Sequence, residues 1–377
     1  MISVSHAHRI PHQIQNKKDL ACSTMSTISL SKAEKSYITA GLKQSVPQRT
    51  DGRNLTDYRS IALETGVAPV ANGSARLCIG RNLNDNGGGT EIIAATKLEV
   101  ETISIDESSE GREGGRFVVN VSCSPAAYPH LTQIALEDLQ HDLTTILHTT
   151  ITHPTLHPKN LIILPRKKSW LLHLDLLILA DAGNTLDALF LAARAALWDT
   201  KVPRTRSVEY KAPKSNVKDE TGFAGANTTV EGGDMDVDET APSGFDTRSQ
   251  ARRATDFELP DYWDEGENLD GRDRWPVGVT LNLTPPVHFL DATLQEEAAV
   301  PLRFLLVFSF SSPSNTPTLQ GIRTLGGGEV SLSQIKDLTE AGQNYANELY
   351  TALNAKLKDE DIRRTQIAQE RFAATRR

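Results

Sequence analysis

Asp181 stands in the stretch Asp181-Ala-Gly-Asn-Thr-Leu186, where an apolar strand pattern gives way to a polar turn and then to an alanine- and leucine-rich helix. A carboxylate there can pass a proton to or from a substrate, or it can accept the backbone N–H groups that a helix start leaves open. The bracing role is the commoner one and is favoured for Asp181. Asp187 falls in the first helical turn, where a negative charge suits the positive end of the helix. Asp175, Asp181 and Asp187 follow each other at six-residue spacing through strand, turn and helix, which gives them no common point for a Mg²⁺ ion. Glu296 and Glu297 are adjacent and point apart on a helix, so they do not make a paired-carboxylate hydrolase. They read as caps or interface ion pairs.

Lys201, Arg204 and Arg206 follow the helix in one short loop. Loop cations can grip phosphate without reading a base sequence, and they can equally form a solvated basic turn. Both readings stand, and no basic stripe interleaved with aromatics offers base stacking. Asn84 to Gly89 ends in three glycines but lacks the Lys, Ser or Thr of a phosphate loop, so it reads as a hairpin connection. His6, His8 and His12 lack a second ligand cluster, and Cys22, Cys78 and Cys123 are too scattered for a zinc site or a disulfide framework. No metal or cofactor is expected, and the cysteine usage fits a reducing compartment.

These residues need a scaffold. The 377 residues, 38% of them hydrophobic, suffice for about two folded lobes. Forty Lys and Arg against 48 Asp and Glu give a net charge of −8, which excludes a wholly basic nucleic-acid binder and leaves room only for a local patch. The apolar run from Trp170 to Ala180 is too short to span a membrane, and the first residues lack the apolar core of a secretory signal. No membrane partner is expected.

Along the chain, Ser31 with Glu34 predicts a capped helix to about Gln44. Strands are expected at 61–64, 75–80, 91–101 and 117–122, and a core helix at 131–151 with Ile134, Leu136, Leu139, Leu143, Ile146 and Leu147 on its apolar stripe. Two more strands, 161–164 and 170–179, precede the helix at 185–198, the second apolar enough to be buried on both faces. The second lobe should hold strands at 277–283, 287–291 and 304–310, a short helix at 294–299, and a last helix capped by Ser331 with Gln334. Between Asp219 and Glu239 seven acids occur without one Lys or Arg. The expected divisions are therefore a disordered extension at 1–28, a first domain at 29–206, a disordered acidic insertion at 207–275, a second domain at 276–358 and a charged tail at 359–377.

Three ordered motifs carry a resemblance. Arg49-Thr-Asp-Gly-Arg53 with Asp57-Tyr-Arg59, then Gly73-Ser-Ala-Arg-Leu77 with Gly80, then Leu290-Asp-Ala-Thr-Leu-Gln-Glu-Glu297 resemble the signatures of the RNase PH superfamily, with Ala292 where the family has Pro. Ala182 to Ala188, the alanine-rich helix and Lys201-Val-Pro-Arg204 resemble its exosome ring subunits of the ribosomal-RNA-processing protein 42 type. The resemblance spans about Ser31 to Leu357 except the acidic insertion.

It implies an α+β fold of the RNase PH type, ribosomal protein S5 domain 2-like, with two similar βα halves in one subunit. Six such subunits form a ring around an RNA channel. The implied partners are other RNase PH-like exosome subunits, nearest the messenger-RNA-transport-protein-3 type, S1/KH cap proteins, an associated hydrolytic nuclease and single-stranded RNA, in nucleus, nucleolus and cytoplasm. Active members cleave RNA from its 3′ end with phosphate and carry an Asp-Gly-Gly-Thr-Arg-Thr turn. Here the arginine position holds Thr185, and no arginine occurs between Phe117 and Pro165. A hydroxyl cannot replace a bidentate guanidinium on phosphate. The resemblance thus implies a non-catalytic subunit with Asp181 as a vestige. Two other readings are a phosphorolytic site shared with a neighbouring subunit and an adaptor whose acidic segment recruits basic factors.

Overall fold

The computed structural model describes residues 29–80, 88–103, 115–208, 256–259, 266–311 and 316–375. The expected extension at 1–28, most of the glycine loop and the acidic run at 219–239 lie outside them, as does Cys22.

Helix α1 (Lys32–Leu42) begins with the reciprocal Ser31 and Glu34 cap. The first sheet follows: β1 (Ile61–Thr65), β2 (Gly73–Ile79), β3 (Thr90–Thr102) and β4 (Phe117–Cys123), then α2 (Gln133–Ile151), β5 (Ile162–Leu164) and β6 (Lys168–Ala180). Its order is β1-β2-β3-β6-β4, with β5 also on β6. Only β4 runs parallel to β6. Helix α3 (Thr185–Asp199) and the short strands β7 (Lys201–Val202), β8 (Arg206–Val208), β9 (Asp256–Glu258) and β10 (Glu267–Asn268) lead to the second sheet. That sheet holds β11 (Val277–Thr284), β12 (Val287–Phe289), β13 (Arg303–Ser311) and β14 (Thr316–Leu325) in the antiparallel order β12-β11-β13-β14. Helix α4 (Leu294–Ala299) sits between β12 and β13, and α5 (Leu332–Thr375) closes the chain.

All 15 residues of α3 are buried. One side lies on β2 and β3, the other on β11, where Gly278 leaves room for the Phe190 ring. A helix apolar all round must be covered all round, so the two lobes share α3 as a common middle layer. One core continues from Leu77, Ile92 and Leu174 through Phe190 to Leu305, Val307 and Leu353.

Several expectations change. Strand β6 alternates, with Leu172, Leu174, Leu176 and Ile178 buried and Asp175 and Leu177 exposed, because α3 and α2 cover only one face of the sheet. Ile134, in the first turn of α2, is 73% exposed, and the buried face of the helix begins only at Leu136. The 207–275 stretch is not uniformly an insertion: β9 sets Phe257 edge-on to Trp170, and Leu269 and Trp275 are buried in the first lobe. Trp275 also packs edge-on against Phe117. The charged end does not form a separate tail either. Helix α5 continues through Lys358 to Thr375, with Asp361 accepting from Trp198 Nε1 at 3.0 Å and from Arg272 at 2.7 Å. Arg364 pairs with Asp199 at the end of α3. No helix among the described residues is long and apolar enough to cross a membrane. Cys78 and Cys123 are buried and form no disulfide.

Candidate functional site

The turn that starts α3 is held by side chains from three distant motifs. Asp181 follows β6, and its Oδ1 accepts the Gly183 N–H and the Thr185 hydroxyl, both at 2.8 Å. Thr185 therefore faces back into the turn. Asn184 sits at the helix start with φ of 60° and makes no side-chain cap. Its N–H instead donates to Glu297 Oε1 at 2.7 Å, and its Nδ2 donates to Asp291 Oδ1 at 3.1 Å. Gly183, with φ of 93°, lies against the backbone of Ala292 to Leu294, where a Cβ has no room. Thr90 ties the same turn to β3 by donating to Gly183 O at 2.6 Å and accepting the Ala182 N–H at 3.0 Å.

The arginines of the first motif are consumed in this lock. Arg59 donates to both oxygens of Asp291, at 2.9 and 2.7 Å, and to the carbonyls of Ala182 and Gly183 at 2.9 and 3.0 Å. Arg53 reaches Asp291 Oδ2 at 2.8 Å. Arg49 makes a bidentate pair with Glu296, at 2.9 and 2.7 Å, with both side chains buried. Glu296 and Glu297 thus part company as expected: Glu296 closes the Thr293 capping box and holds Arg49, while Glu297 meets Asn184 and, at 3.2 Å, Arg303.

Burial and charge divide the carboxylates. Burial works against ionisation of Asp291, but the hydrogen bonds and charges of Arg59 and Arg53 outweigh it and hold its pKa below the ordinary value. Burial pushes Glu297 up despite Arg303. Asp187, fully buried beneath the turn, is pushed up to about 7 by desolvation, although Thr280 Oγ1 donates to it at 2.6 Å and Tyr58 at 3.3 Å.

The structure separates the other candidates. Asp175 is exposed on β6, so the three aspartates do not converge, and the described residues hold no group of three His, Cys, Asp or Glu able to bind a metal. Lys201, Arg204 and Arg206 lie beyond the other end of α3, roughly 20 Å from Asp181 at 1.5 Å per residue. Lys201 Nζ donates to Asn268 at 2.6 Å, Arg204 Nε to Glu267 at 3.1 Å, and Arg206 is exposed on β8. Sequence reasoning placed Asn184 in the turn but missed its partner Glu297 and, behind that, Arg303. The only signal was the shared family motif of Glu297, because its contact with Asn184 spans 113 positions.

A paired set of motifs joined in this way has a known setting. Residues 57–203 match the family described as "3' exoribonuclease family, domain 1". Residues 57–203 thus carry a domain similar to the RNase PH family. An RNase PH-like relative from Dictyostelium discoideum, the "Putative exosome complex exonuclease RRP42", is 28% identical over 238 residues, covering 51% of this chain and 70% of the relative. The "Exosome complex component Rrp42" of Saccharolobus solfataricus is 34% identical over 155 residues, 41% of this chain and 52% of the relative, so that match spans about half of the archaeal protein. The RNase PH-like fold also aligns with a chain of the "archaeoglobus fulgidus exosome with RNA bound to the active site" at a TM-score of 0.55 and 18% identity, covering 86% of this chain and 97% of that one. A chain of the "Archaeal exosome core" aligns at 0.54 and 18%, covering 85% and 96%.

Proposed function

We propose that this chain is a non-catalytic subunit of an exosome-type ring of RNase PH-like proteins, supporting 3′-to-5′ RNA processing and degradation, ribosomal RNA maturation included, by completing the ring and guiding RNA through it. The observation that carries the reading is Glu297 on the N–H of Asn184 at 2.7 Å. Phosphorolysis needs an inorganic phosphate held by cations and free N–H donors beside the scissile bond. In this turn Glu297 takes the N–H of Asn184, the residue just before α3, Asp181 takes the Gly183 N–H and the Thr185 hydroxyl, and Arg49, Arg53 and Arg59 are bound to Asp291 and Glu296. Thr185 supplies no replacement charge.

The relatives, components of exosome complexes and a chain of an exosome with RNA bound, support such a complex and its RNA. The proposed neighbours are further RNase PH-like subunits, including the messenger-RNA-transport-protein-3 type, with S1/KH caps and a separate hydrolytic nuclease, in nucleus, nucleolus and cytoplasm. The alternative is a phosphorolytic site completed by a neighbour's cations, favoured by the word "exonuclease" in the Dictyostelium relative's name. One assay separates them: the reconstituted ring is incubated with RNA, with and without inorganic phosphate, for wild type and Asp181→Asn. Unchanged RNA length in all arms is expected. Phosphate-dependent shortening that collapses in Asp181→Asn establishes the alternative.

A further inference from the structure

The β5 to β6 turn puts a charged residue where the backbone favours none. Arg166 has φ of 60°, in the left-handed region that glycine enters freely and most side chains avoid. Its side chain is exposed and has no hydrogen bond or ion pair among the described residues. Two more exposed cations without such partners come from segments that also pack on β5 and β6, directly or through β9, Arg206 standing across from Glu258 in the β8–β9 pair. Lys159 lies in the single 3-10 turn Lys159–Leu161 that feeds β5, and Arg206 lies on β8. Strand β8 is carried to this end of the sheet by pairing with β9, which is fixed to the start of β6 by Lys168 on Asp256 at 2.7 Å and by Phe257 against Trp170.

We propose that this end of the first sheet is a contact for the phosphates of single-stranded RNA, separate from the Asp181 turn, with Lys159, Arg166 and Arg206 as its cations. The inference rests on the ring reading above. Exposed guanidinium and ammonium groups neutralise phosphates along a flexible strand without reading bases. A protein partner would need an apolar centre, and the apolar-lined groove of Leu283, Pro286, Leu302 and Leu338 lies on the second sheet instead. Keeping an arginine at a left-handed position where glycine would be easier is accounted for by a use for its charge.

The test uses the reconstituted ring and a labelled oligouridylate, titrated by fluorescence anisotropy over a salt series. The triple variant Lys159→Gln, Arg166→Gly, Arg206→Gln should bind roughly tenfold more weakly, and its plot of log affinity against log salt should be shallower by roughly 2, at ~0.7 for each phosphate that is no longer neutralised. Size-exclusion chromatography should show the ring intact. Unchanged affinity and slope in an intact ring overturn the proposal, as does a variant that drops out of the ring, because the patch is then a subunit interface. Binding of poly-glutamate through these residues with RNA affinity untouched also overturns it. A wild-type chain that enters no ring defeats the ring reading itself, which is seen before any variant is compared, and this inference falls with it.

Discussion

Glu297 Oε1 lies 2.7 Å from the N of Asn184, so a carboxylate of the second lobe holds the residue that leads into α3 of the first. Glu297→Ala should expose that N–H to no partner and leave Arg303 buried without its counterion. Breaking a buried pair from one side costs about 3–5 kcal/mol. Urea denaturation should read that loss, with a smaller one for Glu297→Gln, which keeps an acceptor.

Restoring the missing arginine should not restore chemistry. Thr185→Arg places a guanidinium beside donors that Asp181 and Glu297 already hold, and it removes a buried hydroxyl from its partner. The ring containing this variant is expected to leave RNA length independent of phosphate, with a lowered melting temperature.

Asp187 should tie stability to pH. Its carboxyl rises from 3.8 to about 7 in the folded chain, so the folded state holds its proton more tightly than the unfolded state. That contribution is full below about pH 4 and is lost as the pH climbs towards 7, at roughly 1.4 kcal/mol per unit where the two states differ by a whole proton. Asp187→Asn keeps an acceptor for Thr280 and should flatten this slope in chemical denaturation at pH 4 to 8, so that the variant gains on wild type as the pH rises.

Arg166→Gly should fold at least as stably as wild type. Relief of the left-handed arginine is worth about 1–2 kcal/mol, partly offset by the freedom glycine gains in the unfolded chain, about 0.5–1 kcal/mol. Differential scanning calorimetry should show an equal or higher melting temperature. A fall would mean that the side chain has a structural partner.

Ending the chain at Lys358 should loosen the first lobe, because Asp361 and Arg364 leave Trp198, Arg272 and Asp199 behind. A loss of about 1–3 kcal/mol and a red shift of tryptophan fluorescence are expected, the hydrogen bonds to charged groups being worth ~1.5–3 kcal/mol each at most.

What was legible in the sequence was local. Ser31 with Glu34 and Ser331 with Gln334 form the caps that their spacing predicts. The strands of the first sheet, β11 to β13 of the second and the buried helix at 185–198 also follow from patterns read within a few residues, whereas β14, whose residues are mostly polar and exposed, was not foreseen. What was hidden depended on partners far along the chain. The helix past Lys358 reads as a charged end because its turns are polar, yet its charges meet Trp198, Asp199 and Arg272. Leu177 and Asp175 look like members of a buried strand until the sheet is seen to be covered on one side only. Arg53 and Arg59 of the first motif brace the lobe by binding Asp291 and carbonyl oxygens. That the same lock also takes the Asn184 N–H required Glu297 to be placed in space.

The burial of α3 on two sides sets an order of events during synthesis. When Asp199 leaves the ribosome, β2 and β3 can already cover one flank of the helix, but β11 is still to come. About 80 residues separate Asp199 from Val277, which at ~5–20 residues per second leaves Phe190 and its neighbours half bare for on the order of ten seconds. Over that interval the nascent first lobe presents an apolar helix face to any chaperone or to another unfinished chain, and the timing is set by the length of the intervening segment. Shortening that segment should hasten closure of the core and reduce aggregation during translation.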